Sequence, residues 1–231
     1  GARATDGGSL ENNNTGKNTG RIGLLVYTSS NNNILRNNLG TSNTDAAIDI
    51  ELNSNNNILI SNTGTSTTIY GISLISGADN NTLTNNTGTS TTGTGIYIDS
   101  SSNNSLTNNI GTSTRNTGIR LTTTSNNNNF INNTASGNIS IFVTTNSNNN
   151  NFTNNTLIGD TGFEINSSTN ITITNSSFQN TNWSIKAALG SNFSLIDNER
   201  MTNYSFNRTP RVTITKTGNA SVTFIGIVQA N

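Results

Sequence analysis

The chain has 231 residues, no net charge and an apolar fraction of only 29%, while 49 Asn, 40 Thr and 28 Ser together make up half of it. Zero net charge excludes a basic nucleic-acid-binding protein, and the absence of a long apolar run excludes a membrane-spanning helix. The lack of His and Cys excludes disulfides, thiolate nucleophiles, Ser-His-Asp triads and zinc or copper centres built on those residues, so we expect no catalytic residue, metal or cofactor.

A composition this polar is typical of disorder, but a repeat argues for an ordered fold. A small residue followed by apolar–x–apolar recurs every 22–24 residues, beginning at Gly23, Ala47, Gly71, Gly95, Gly118, Ser140, Gly162 and Ser184. A second apolar column follows each signature, at Leu35, Leu59, Leu83, Leu106, Phe130, Phe152, Ile173 and Leu195. The period of two predicts short strands, and no segment has helical spacing.

Asparagine keeps the same register as the repeat. One column precedes the second apolar column by two residues, at Asn33, Asn57, Asn81, Asn104, Asn128 and Asn150. Another follows it, at Asn38, Asn62, Asn86, Asn109, Asn133 and Asn155, each preceded by Asn or Ser. In stacked coils an Asn amide can donate to one neighbour and accept from the other, and Asn tolerates the left-handed turn conformation. The columns therefore predict buried ladders and sharp turns.

The repeat over roughly residues 9–199 resembles the right-handed parallel β-helix of the pectate-lyase-like and NosD-type class, and is similar to Asn/Thr-rich versions in prokaryotic, often archaeal, surface proteins. The resemblance implies an all-β solenoid of about 8–9 coils. We predict a β-helix over residues 1–199 and a C-terminal β cap or assembly segment over residues 200–231. Within the latter, Arg211–Thr215 and Ala220–Val228 read as strands.

Enzymes with this fold gather acidic residues on the outer face of neighbouring coils. The outward column here is predicted to be Leu25, Asp49, Ser73, Tyr97, Arg120, Phe142, Glu164 and Lys186, in which no two acids are adjacent. Asp49 and Glu51 share one coil, and Asp99 lies two coils from Glu51, so these form the only candidate acidic patch. We interpret them as scattered solvated charges. The aromatic residues Tyr70, Tyr97 and Trp183 are predicted to be too dispersed for a sugar platform.

Sixteen Asn-x-Ser/Thr motifs make N-glycosylation a further prediction, for a host that glycosylates exported proteins. Strand parity turns some acceptors outward, and others fall in turns or the tail. The candidates are Asn80, Asn103, Asn138, Asn170, Asn182, Asn192, Asn203, Asn207 and Asn219.

Three functions fit these patterns. The leading hypothesis is a non-catalytic structural protein of the cell surface, a subunit of an extracellular filament, tube, sheath or surface layer. Its C-terminal strands would add head-to-tail to the first coil of another copy. The second is a carbohydrate-binding or carbohydrate-degrading β-helix. The third is an ice-binding solenoid, carried by a small threonine array in which Thr65-Ser66-Thr67, Thr89-Ser90-Thr91 and Thr112-Ser113-Thr114 stack in successive coils.

Overall fold

The computed structural model describes residues 2–4, 7–11, 13–188, 190–201, 203–207 and 211–215. Every regular element in these ranges is a β-strand, and none of them contains a helix that could cross a membrane. All strand pairs are parallel, as expected for a solenoid. The all-β parallel β-helix predicted from the repeat is therefore confirmed.

A typical coil contributes three strands, and strands of successive coils pair in two sheets of sixteen and ten strands. One limb of sheet 1 contains β1 Ala2–Ala4, β4 Leu24–Val26, β7 Ile48–Glu51, β10 Tyr70–Ile75, β13 Thr94–Asp99, β16 Thr117–Thr122, β19 Ile139–Thr144, β21 Thr156–Asn166, β23 Ser177–Ala187 and β25 Tyr204–Phe206. Its other limb contains β3 Thr15–Asn18, β6 Leu39–Ser42, β9 Thr63–Ser66, β12 Thr87–Ser90, β15 Ile110–Ser113 and β18 Thr134–Ser136. The long strand β21 joins the two limbs, because it pairs with β18 of one and with β19 of the other, and β23 pairs along β21.

Sheet 2 has one strand from each of ten coils. Its strands are β2 Ser9–Glu11, β5 Ile34–Arg36, β8 Ile58–Ile60, β11 Thr82–Thr84, β14 Ser105–Thr107, β17 Asn129–Ile131, β20 Asn151–Thr153, β22 Ile171–Thr174, β24 Asn192–Ile196 and β26 Arg211–Thr215. The eight predicted repeats are all present, with one further set of strands at each end. Arg211–Thr215 is a strand as predicted, paired in register with β24. The segment Ala220–Val228, on which the predicted head-to-tail joining depends, lies outside the described residues.

The interior is a continuous apolar stack built from the two predicted columns. All eight residues of the second column are buried, from Leu35 to Leu195. Phe130 and Phe152 stack with ring centroids 4.6 Å apart, and Phe163 meets Phe152 edge-on at 4.9 Å. The small residue of the signature lies where two limbs of a coil approach, and a Cβ added at Gly88 would clash with the carbonyl oxygen of Gly95.

The asparagine columns form buried ladders, as predicted. In the second ladder the backbone N–H and the Nδ2 of Asn62 both donate to Oδ1 of Asn86, at 2.8 and 2.9 Å, and Asn86 repeats the pattern towards Asn109 at 2.8 and 3.0 Å. Asn86 Nδ2 also donates to the Leu59 carbonyl at 2.9 Å. The residue before each ladder position is left-handed, for example Asn85 with φ 58°. The buried Asn of each ladder thus pairs the backbone polar groups of the turn, and the residue before it supplies the left-handed conformation that the turn requires.

The small threonine array predicted from the sequence is present at the surface of sheet 1. The central Ser of each triplet is buried, and Ser66 Oγ donates to the Asp45 carbonyl at 2.7 Å while Ser113 Oγ donates to the Gly93 carbonyl at 2.6 Å. The two threonines of each triplet face outward in the three coils, at Thr65 and Thr67, Thr89 and Thr91, and Thr112 and Thr114. Ice binding by this array stays a prediction.

Breaking a ladder is expected to be costly. Asn86→Leu removes the acceptor of two Asn62 donors and leaves a buried backbone N–H without a partner. Each orphaned buried group costs roughly 1–3 kcal/mol, so we expect a loss of about 2–5 kcal/mol in the free energy of unfolding. Thr84→Leu, at a half-exposed position of the same coil, is the matched control and is expected to change stability by less than about 1 kcal/mol. Urea denaturation measures both; equal losses would contradict the role of the ladder.

Candidate functional site

The predicted outward column of sheet 1 is continuous in the structure. Strand pairing aligns Asp49 with Ser73, Ser73 with Tyr97, and Tyr97 with Arg120. The column continues through Phe142, Glu164 and Lys186 in the same register. Consecutive members therefore lie one strand spacing apart, about 4.8 Å between Cα atoms. Acidic, hydroxyl, aromatic and cationic side chains follow one another along a single line on the outer face.

Asp49 is not the solvated charge that the sequence predicted. Its side chain is only 3% exposed, and Ser73 Oγ donates a hydrogen bond to its Oδ1 at 2.5 Å. Burial raises the pKa of Asp49 to about 7, Ser73 lowers it, and the negative charges of Glu51 and Asp45 raise it further. A carboxyl in this position is close to half-protonated at neutral pH, so it can both donate and accept hydrogen bonds.

Tyr70 and Tyr97 come together, which corrects the prediction that the aromatic residues are dispersed. Their rings stack with centroids 4.0 Å apart and an interplanar angle of 8°. Both side chains are half-buried, and burial raises the pKa of each phenol above its usual range. Tyr97 Oη lies 3.4 Å from Oδ2 of Asp99, to which it donates. The pair presents two phenol groups beside the Asp49 end of the column.

Sequence reasoning missed this pair because the two tyrosines occupy different columns. Tyr70 aligns with Thr94 of the next coil, and Tyr97 lies three residues further along that strand. A search for identical positions in successive repeats cannot find a contact between positions that are offset. The sequence signal that could have found the contact is the occurrence of one Tyr in each of two successive repeats, both within the outward strand.

Cationic side chains continue the row beyond the tyrosines. The guanidinium of Arg120 lies over the ring of Phe142, 5.2 Å from its centroid. The positive charge of Arg120 also lowers the pKa of Tyr70 and Tyr97, against the effect of burial. Arg120 Nε is buried and has no hydrogen-bond partner among the described residues. Further along, the Lys186 ammonium lies 5.8 Å from the ring centroid of Trp183.

The second pair of predicted acids flanks this row. Glu51 aligns with Ile75, and Ile75 with Asp99, so the predicted separation of two coils is correct. Burial raises the pKa of Glu51, and the charge of Asp45 raises it further. Glu164 is half-buried, and burial raises its pKa while nearby Lys186 lowers it. The acids are therefore spread along the face, and Asp49 alone combines deep burial with a hydroxyl partner.

The predicted glycosylation acceptors are mostly accessible. Seven are exposed: Asn80, Asn103, Asn138, Asn170, Asn182, Asn203 and Asn207. Asn192 is half-buried, and Asn219 lies outside the described residues. In three of them the amide nitrogen that would carry a glycan already donates a hydrogen bond, from Asn138 to the Arg115 carbonyl and from Asn170 to Oδ1 of Asn149, both at 2.9 Å, and from Asn203 to the Asn182 carbonyl at 2.7 Å. Modification itself stays a prediction.

Comparisons with known proteins agree with the solenoid. Residues 3–143 match the family model described as periplasmic copper-binding protein (NosD). Among solved structures, the A-module of the Azotobacter vinelandii mannuronan C-5 epimerase AlgE6 is similar, with a TM-score of 0.51 and 12% sequence identity. The alignment covers 87% of this chain and 56% of that one, so the chain spans little more than half the length of that module. No curated protein matches. At this identity the epimerase supports the fold alone.

The residues of this chain do not fit a copper site. Copper in proteins is bound by imidazole, thiolate and thioether groups, and the sequence contains no His, no Cys and a single Met. Within the described ranges, no group of three His, Cys, Asp or Glu side chains is placed to hold a metal ion. The fold of the family is therefore present here without the donors that its description calls for.

Proposed function

We propose that this chain, which belongs to the NosD family of β-helix proteins, acts outside the cytoplasm. We further propose that it binds an extended glycan along the row Asp49–Tyr97–Arg120. The periplasmic description of the family supports the location. The observation that carries the binding function is the alignment of these three side chains in one outward column, with Ser73 between Asp49 and Tyr97 and with Tyr70 stacked on Tyr97.

The row has the chemistry that a sugar chain requires. Sugar hydroxyls need partners that donate and accept, which the half-buried phenols of Tyr70 and Tyr97 supply, while the buried Asp49 accepts from Ser73 beneath the row. The half-buried rings and the aliphatic stem of Arg120 offer apolar surface for the sugar ring. Arg120 can also pair with a carboxylate on an acidic sugar. Because successive groups are spaced at about 4.8 Å, an extended chain lying along the solenoid axis can contact several of them at once.

The proposal is binding rather than turnover. Glycoside hydrolysis requires two carboxyl groups about 5–9.5 Å apart that both reach the scissile bond. Asp49 and Glu51 lie about 6.6 Å apart along β7, but Asp49 is 3% exposed and accepts from Ser73, so its carboxyl does not reach a substrate on the outer face. An acidic polysaccharide would use Arg120, and a neutral one would use the hydroxyl-bonding groups alone.

Binding is tested by calorimetry with a panel of neutral and uronic-acid oligosaccharides, each incubated overnight and examined for cleavage or epimerisation. We expect unmodified sugar, and at least tenfold weaker binding, about 1.4 kcal/mol, for Tyr97→Ala and for Arg120→Gln. Arg36→Gln, a half-exposed arginine on the outer face of sheet 2, is the matched control and should bind as the wild type does. Absence of binding across the panel, or equal losses in all three variants, would overturn the proposal; turnover would overturn its non-catalytic part.

The continuity of the sheets favours a second candidate function, the structural filament or surface-layer subunit predicted from the sequence. Sheet 2 runs through ten strands without interruption, about 43 Å at the usual strand spacing, which is the property of a stiff rod. Electron microscopy of the purified chain, with and without residues 211–231, tests head-to-tail joining. Filaments that disappear on truncation would support it, whereas a monodisperse monomer at high concentration or filaments that survive truncation would contradict it.

A further inference from the structure

Two columns of outward side chains run without a charged residue over eight consecutive strands of sheet 2, β8 to β26; beside them, Asn192 of β24 and the exposed Arg211 of β26 also face outward. Two outward positions per strand give two parallel columns of side chains, and sixteen residues occupy them: Ile58, Ile60, Thr82, Thr84, Ser105, Thr107, Asn129, Ile131, Asn151, Thr153, Thr172, Thr174, Ser194, Ile196, Thr213 and Thr215. Eight are Thr, four Ile, two Ser and two Asn, so none is charged and none aromatic. We name these sixteen residues the threonine face.

The threonine face is the most regular surface of the solenoid. Every pairing in sheet 2 is parallel and in register, whereas sheet 1 contains a register shift between Gly159 and Thr161. Side chains therefore recur at about 4.8 Å across the strands and about 6.6 Å along each strand. The buried asparagine ladders hold the backbone beneath in this register. The face is a rectangular lattice fixed by the sheet.

The side chains of the threonine face are themselves stiff. Twelve of the sixteen are β-branched Thr or Ile, whose χ1 angle is restricted, so each methyl and hydroxyl group has a nearly fixed position. Asn151 is held by its own contacts, because its Nδ2 donates to Oδ1 of Asn129 at 3.0 Å. Among the described residues no protein hydrogen bond engages the hydroxyl groups of Thr82, Thr84 or Thr107. These hydroxyls bond water.

The composition and size of the threonine face limit what can occupy it. Two columns over eight strands cover on the order of 400 Å², which is half of what each partner buries in a standard protein interface. A charged polymer or membrane surface finds no charged residue among the sixteen, with Arg211 beside them on the last strand, and a sugar finds no aromatic ring. What the face offers is a rigid, neutral lattice of methyl and hydroxyl groups, and the matching occupant is an ordered, neutral layer of water.

We infer that the threonine face binds ice. Methyl groups order the water next to them, and hydroxyl groups at fixed spacing hydrogen-bond that water in a repeating pattern. A charged side chain within the two columns would keep its own hydration shell and so disrupt the ordered water layer. This surface differs from the threonine array predicted from the sequence, which lies in sheet 1 over three coils, and from the row Asp49–Tyr97–Arg120.

The test is thermal hysteresis and inhibition of ice recrystallisation by the purified chain. We expect both for the wild type, increasing with protein concentration, and their loss in the double variant Thr84→Lys with Thr107→Lys on the threonine face. The matched control is Thr89→Lys with Thr112→Lys, which introduces the same change on neighbouring coils in sheet 1. The control should keep the wild-type activity, and circular dichroism melts of both variants show whether each remains folded.

The outcomes separate this inference from the proposed glycan binding. Absence of both activities in the wild type overturns ice binding, as does an equal loss in the two folded double variants. Should the threonine-face variant unfold, the milder single variant Thr107→Val, which keeps the shape and removes one hydroxyl, replaces it and is expected to reduce hysteresis several-fold. Glycan binding measured on the same variants should be unchanged, because no mutated residue belongs to the row Asp49–Tyr97–Arg120.

Discussion

Replacing Leu83 with Asp is expected to destabilise the protein by several kcal/mol. Leu83 is completely buried between Leu59 and Leu106 in the apolar stack, so the substitution removes packing and places a carboxyl without a partner in the interior. Thr82→Asp, one residue earlier, puts the same carboxyl at an exposed position and is expected to cost less than about 0.5 kcal/mol. Chemical denaturation compares the two. Similar losses would show that the inward and outward assignments of this strand are wrong.

Replacing Asp49 with Asn is expected to remove the largest pH dependence of the protein's stability. The folded pKa of Asp49 is about 7, above the ordinary value of 3.8 that it takes in the unfolded chain. Between these values the native state keeps a proton that the unfolded state has released, so stability that is fully present below pH 3.8 is lost as the pH rises through 7. The complete shift corresponds to roughly 4 kcal/mol. The amide introduced by Asp49→Asn is neutral at every pH and has nearly the same shape as the carboxyl.

The experiment measures the free energy of unfolding by urea at pH 5 and at pH 8. The wild type should be less stable at pH 8, and Asp49→Asn should show a much smaller difference. Glu51→Gln is the matched control: this side chain lies in the same strand, is half-exposed, and has a pKa raised less by burial, so its effect should be small. A wild type equally stable at both pH values, or Asp49→Asn with the full wild-type difference, would contradict the buried state of Asp49.

The repeat predicted most of the fold because periodic positions report on the same environment many times. Leu59, Leu83 and Leu106 recur at one place in successive coils, and only an inward column of a parallel stack explains an apolar residue there each time. The same logic identified Asn62 and Asn86 as a ladder, since a stacked amide finds its partner in the next copy of itself. Such contacts join identical positions, so the sequence contains both partners in one column.

The candidate site could be predicted only in part, for the opposite reason. The column that contains Asp49, Tyr97 and Arg120 follows from the repeat, but each of these residues occurs there once. Strand alternation gives the direction in which a side chain leaves the sheet, and it does not give the degree to which neighbours cover it. That is why Asp49 was expected to be solvated although its carboxyl is buried.

What the sequence determined by itself is therefore everything that translation along the solenoid axis repeats: the strands, the apolar interior, the asparagine ladders and the membership of each outward column. The tertiary structure alone decided the contacts between positions that are offset from one coil to the next. The stacking of Tyr70 on Tyr97 is such a contact, and so are the burial and raised pKa of Asp49. These contacts depend on the rotamer of each side chain, which sets its position along and across the outer surface. The repeat period specifies only which residues share a column and contains no information about rotamers.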